Sequence, residues 1–164
     1  VDTAALSNSG KLITMVMMFI GGSPGSTAGG VKTTSVIVLL FYAGAMVLNK
    51  EDINLFGRRL TDEVVKKANA VVIINATLTI VATVIIMALQ PLLNFEDVLF
   101  EVLSAIGTVG MTVGITRDLN MIARVILIVL MYCGRLGSLS FALVFAQKNT
   151  STPVRQPQEK IIVG

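Results

Sequence analysis

Two clusters of small residues hold the groups in this chain that could do chemistry. The first is Gly21-Gly22-Ser23-Pro24-Gly25-Ser26-Thr27-Ala28-Gly29-Gly30-Val31-Lys32-Thr33. Its start matches G-x-S-x-G, the turn that exposes a nucleophilic serine, here Ser23. The chain contains no histidine, so no Ser-His-Asp triad can form within it. Residues 25–33 approach a phosphate-binding loop, but Val31 stands where the lysine should follow Gly30, and no strand pattern precedes it. The second cluster, Thr108-Val109-Gly110-Met111 followed by Gly114, offers backbone instead. Glycine allows φ values that turn successive carbonyls to one side, where they can replace a cation's hydration shell. The competing reading is a helix-packing face, because Gly110 and Gly114 form GxxxG.

The elements that must carry these clusters belong in a membrane. Of 164 residues, 54% are hydrophobic and 14% charged, and the mean hydropathy is +0.80. That composition excludes an ordinary soluble domain. The net charge of +3 is spread along the chain and is no nucleic-acid footprint. Lys11 and Lys32 bracket 20 uncharged residues, and Lys67 and Glu96 bracket 28. A span needs about 20 apolar residues. A first span is expected from Ser9 or Lys11, broken at Gly21 and resumed near Thr33, ending by Asn49. A second runs from about Ala68 to Gln90 and a third from about Leu119 to Ala146. Residues 50–67 fit a short surface helix or loop.

Between the second and third spans, Phe95, Val98, Leu99, Val102, Leu103 and Ile106 recur at helical spacing. That helix is too short to cross. Eight Lys and Arg in the 50–67 segment and the tail oppose three at Lys11, Arg117 and Arg124, so loop and tail are expected in the cytoplasm. The short helix therefore dips in from outside, its negative dipole end toward the membrane interior. The broken first span must line protein or a watery cavity, since unpaired backbone in hydrocarbon costs several kcal/mol per group. Lys32 and Arg135 lie at membrane depth, where charge is expensive; each is either functional or snorkels to the cytoplasmic interface. Glu101 is either a buried functional group or faces an external vestibule. Cys133, the single cysteine, reads as a small packed residue.

Three stretches carry a specific resemblance: MFIGGSPGSTAGGVKTT, FEDVLFEVLSAIGTVGMTVGIT, and MYCGRLGSLSFALVFA with the ending EKIIVG. The chain resembles the carboxyl-terminal part of KtrB-type membrane subunits in the Trk/Ktr/HKT superfamily of potassium transporters. The opening VDTAALSNSG looks like mid-chain sequence, so a fragment of something longer is expected. The resemblance implies an all-α integral membrane protein of helix–pore-helix–helix repeats with a broken transmembrane helix, part of a fourfold pseudo-symmetric pore. Residues 1–49 would be the second membrane helix of the third repeat, 50–67 a cytoplasmic linker, 68–146 the fourth repeat and 147–164 a cytoplasmic tail.

The same resemblance implies that Thr108, Val109, Gly110 and Met111 form the filter, with K+ held at Thr108, Val109 and Gly110. Residues 21–33 would be an intramembrane gating loop, closed together with Arg135. Ile162, Val163 and Gly164 would lie at the interface of a homodimer in the cell membrane. The expected partner is a cytosolic nucleotide-binding ring of the KtrA type, with lipid around the membrane part and no nucleic acid. No covalent cofactor is expected, and Na+ is expected to stimulate potassium uptake. Four repeats make a pore, so this segment alone should not conduct. Two other functions fit the residues: an alternating-access carrier binding substrate at the broken span, and a non-conducting scaffold whose glycines only pack helices.

Overall fold

A computed structural model describes residues 6–26, 28–48, 54–55, 58–59 and 61–137. Helix α1 spans Asn8–Ile20, α2 Thr33–Val47, α3 Asp62–Leu89, α4 Phe95–Ile106 and α5 Met121–Leu136. Helix α1 starts where Ser7 accepts from the Gly10 N–H, and stops at Gly21, whose φ of 60° leaves the helical region. Thus α1 and α2 fall on either side of the expected break.

The segment before α3 differs from expectation. Asn54–Leu55 pairs antiparallel with Arg58–Arg59, Asn54 facing Arg59. The second span begins at Asp62 rather than Ala68, because Thr61 takes extended N-cap backbone and Glu63 suits the positive end of the helix. Glu63 also meets Lys67 one turn on, at 3.7 Å and largely exposed. The third span starts at Met121, where the Asn120 side chain accepts from the Ala123 N–H at 2.8 Å. It stops at Leu136, since Gly137 has a φ of 85°. Residues 138–146 of the expected span lie outside the described residues.

Among the described helices only α3 is long and apolar enough to cross a membrane, with a mean hydropathy of 2.5 over the most apolar 18-residue stretch within Glu63–Leu89. Its one buried polar file, Asn75, Thr79 and Thr83, recurs every four residues. Each of these side chains donates to the carbonyl one turn back, Asn75 to Val71, Thr79 to Asn75 and Thr83 to Thr79, at 2.8–2.9 Å. Helix geometry supplies these acceptors, so the hydroxyls need no partner from another element.

The short helix α4 is the hub. Val98, Val102, Ala105 and Ile106 pack against Ala82 and Ile86 of α3 and against Ala123, Leu127 and Leu130 of α5. Phe100 and Leu103 pack against Met15 and Met18 of α1. A separate cluster of Val38, Val65 and Ala68 joins α2 to α3. The outer faces carry exposed Ile73, Ile80 and Val84 on α3 and Ile122, Val125 and Ile128 on α5. In lipid such faces cost little, and tight packing rather than hydrophobic burial holds the helices together. Gly134 is the case in point: a Cβ there would overlap the Ile106 carbonyl oxygen, so only glycine lets α5 cross the end of α4 this closely.

Candidate ion pathway

Helix α4 stops at Gly107, and the chain then runs without helix or strand through Gly114. Thr108 has a φ of 53°, Gly110 79° and Gly114 104°. A β-branched residue at positive φ is rare, so Thr108 must be held there by its neighbours. Its N–H donates to the Ala105 carbonyl at 3.1 Å, and the Val109 N–H donates to the Ser104 carbonyl at 3.0 Å. Its hydroxyl accepts from the Gly29 N–H at 2.9 Å. Gly110 and Gly114 have nothing within 4 Å of a notional Cβ, and both lie off any helix. The GxxxG packing face is therefore not formed.

Among the described residues, no donor reaches the carbonyls of Thr108, Val109 or Gly110. The next carbonyl is different: Met111 accepts from the Ser104 hydroxyl. Three successive uncommitted carbonyls, beyond the negative end of a short helix, form a neutral donor set suited to a weakly hydrated monovalent cation. Glu101 is buried at 6% exposure and accepts from Thr112, so it does not line an open vestibule.

The loop between α1 and α2 docks on the end of α4. Its base is closed by the Val31 N–H donating to Phe19 O at 3.2 Å and the Thr33 N–H to Gly22 O at 3.1 Å. Gly29 is buried and lies so close that a Cβ would sit 2.9 Å from Ile106 O and 2.8 Å from the Thr108 methyl. Val31 is fully buried, whereas Ser23, Pro24, Gly25 and Ser26 are exposed. Lys32 folds back on the loop, its Nζ donating to Ala28 O at 2.6 Å and Ser26 O at 3.3 Å. Those carbonyls thereby gain a charged partner.

The structure thus brings Gly29, Gly30, Gly107 and Thr108 together from the two clusters. Arg135 is exposed in the last turn of α5, one residue beyond the Gly134 crossing. Thr27 of the loop and Ile162, Val163 and Gly164 lie outside the described residues. Sequence reasoning overlooked Ser104, Thr112 and the tight packing of Gly134. An isolated glycine inside an apolar helix was the signal available for the last.

Comparison with known proteins adds a second line. The sequence profile of the TrkH family, described as cation transport protein, matches residues 1–154. The potassium/sodium uptake protein NtpJ of Enterococcus hirae is 36% identical over 100% of this chain and 38% of its own length. Ktr system potassium uptake proteins D and B of Bacillus subtilis are 30% and 31% identical over 100% and 99% of the chain. Each of those is covered to 36%, so the chain spans little more than a third of the curated relatives it matches.

Proposed function

This chain belongs to the TrkH family of cation transport proteins, and from that premise we propose that it forms part of a potassium uptake pathway across the cell membrane. The family and the potassium uptake named for its relatives support cation transport as the activity. The finer reading is a pore in which residues 108–110 select and residues 21–33 obstruct. The observation that carries it is the 2.9 Å hydrogen bond from the Gly29 N–H to the Thr108 hydroxyl, which ties the break in one span to the base of the carbonyl row.

In this mechanism K+ moves passively down its electrochemical gradient. Carbonyls of Thr108, Val109 and Gly110 supply one quarter of its ligand shell, and the other repeats of the whole protein supply the rest. The loop lies on the exit side of the carbonyls and must move aside for ions to pass. Arg135 is proposed to hold the closed loop, and Ile162, Val163 and Gly164 to meet a second copy. A cytosolic nucleotide-binding ring would set the loop's position, and Na+ would stimulate flux. The test is K+ and Na+ flux through the full-length parent in liposomes, wild type beside Gly110→Ser. Potassium-selective flux that the serine weakens supports the filter; selectivity indifferent to the serine rejects it.

A further inference from the structure

The carbonyl row does not hold itself in place, and two residues of α4 grip its outer half. Glu101 and Ser104 are three apart and share a helix face, and both are more than nine-tenths buried. Ser104 binds the row on both sides of Gly110: its carbonyl accepts from the Val109 N–H at 3.0 Å and its hydroxyl donates to the Met111 carbonyl. Glu101 reaches one residue further, to the Thr112 hydroxyl.

The direction of that bond follows from counting protons. A hydroxyl has one proton and two lone pairs. The Thr112 hydroxyl donates its proton to Glu101. The Gly114 N–H donates into Thr112 Oγ1 at 2.9 Å, and the Thr116 hydroxyl lies 2.8 Å from it, within reach to donate into the remaining lone pair. A carboxylate at this depth is expensive, and packing alone would be served by an apolar side chain. Its return is the hydrogen bond that holds Thr112.

We infer that Glu101 and Ser104 are positioning residues that pin the segment after Gly110 to the pore helix and end the row of cation ligands there. Met111 is a poorer ligand than the three residues before it, because one lone pair of its carbonyl is committed to Ser104. The inference rests on the filter reading above and goes beyond it by naming what sets the filter's geometry. Neither side chain touches the ion.

The experiment compares K+ over Na+ preference of the full-length protein in liposomes for wild type, Gly110→Ser, Ser104→Ala, Thr112→Val, Thr112→Ser and Glu101→Gln. Losing one tether of this kind should reduce preference about fivefold in Ser104→Ala and Thr112→Val. Thr112→Ser retains the hydroxyl and Glu101→Gln retains an acceptor oxygen, so both should stay within about twofold of wild type. Thr112 is exposed, and valine has nearly its shape, so that variant decides the matter if Ser104→Ala fails to fold. Wild-type preference in Thr112→Val, while Gly110→Ser loses it, overturns the positioning role and leaves the filter standing. Equal losses in Glu101→Gln and Thr112→Val would overturn it too, since the charge and not the tether would then matter. Preference unchanged even in Gly110→Ser removes the filter reading and this inference with it.

Discussion

Residues 21–32 and 107–114 are both non-helical backbone next to the end of α4, yet they are held in opposite ways. The second segment is bonded to its own helix at nearly every step, through Ala105, Ser104 and Glu101. The first is bonded to itself and to the helices that flank it: Lys32 to Ala28 within the loop, Val31 to Phe19 of α1, and Thr33 of α2 to Gly22. One hydrogen bond between described residues crosses from loop to carbonyl row, Gly29 to Thr108. A segment stitched to a buried helix keeps its geometry; one tied to its own flanking helices can part from α4, among the described residues, for the loss of a single hydrogen bond and some packing. Rigidity suits selection, and a loosely docked loop suits gating.

The sharpest way to break this contrast is to add one methyl group on each side. Gly134→Ala drives a Cβ into the Ile106 carbonyl and should destabilise the protein by about 3 kcal/mol or more, seen as a lower unfolding midpoint in detergent. Gly25→Ala at the loop tip meets nothing within 4 Å, and its φ of 82° should cost only about 1 kcal/mol. Similar losses in the two variants would contradict the division into a packed side and a free side.

A smaller effect is expected within the row itself. Gly110→Ser strains a φ of 79° by about 1–2 kcal/mol, so K+ preference over Na+ should fall about tenfold in flux assays. Thr108→Val removes the acceptor that Gly29 uses. At about 1 kcal/mol for one hydrogen bond, the open fraction and the resting flux should rise about fivefold. Weakest of all is the pair Lys11–Asp97, 3.3 Å apart near the amino-terminal ends of α1 and α4. Lys11→Met should change stability by less than about 1 kcal/mol, measured by the same unfolding midpoint.

Much of this was legible in the sequence, for local reasons. Helix α4 is delimited by Asn94 and Gly107, with apolar residues at helical spacing between them, and the structure has it at Phe95–Ile106. The break at Gly21 to Lys32 follows from glycine and proline in an apolar run, and the helices stop and restart there. What was illegible depends on residues far apart in the chain. Nothing local to Gly134 says that Ile106 will lie against it, and nothing local to Ser104 says that its hydroxyl will face Met111. The start of α3 at Asp62 was missed because charged residues there read as a surface segment, although they suit the first turns of a helix emerging from the bilayer. The GxxxG alternative failed because Gly110 and Gly114 are four apart on non-helical chain, where that spacing makes no helix-packing face.

The division of labour is tested most directly by comparing the full-length parent as wild type, Gly110→Ser and a deletion of residues 24–30, with K+ and Na+ flux measured in liposomes. The account predicts that the serine lowers K+ preference while the deletion raises flux and leaves that preference unchanged. A deletion variant that folds but conducts no more than wild type, or that loses selectivity as the serine does, would contradict it.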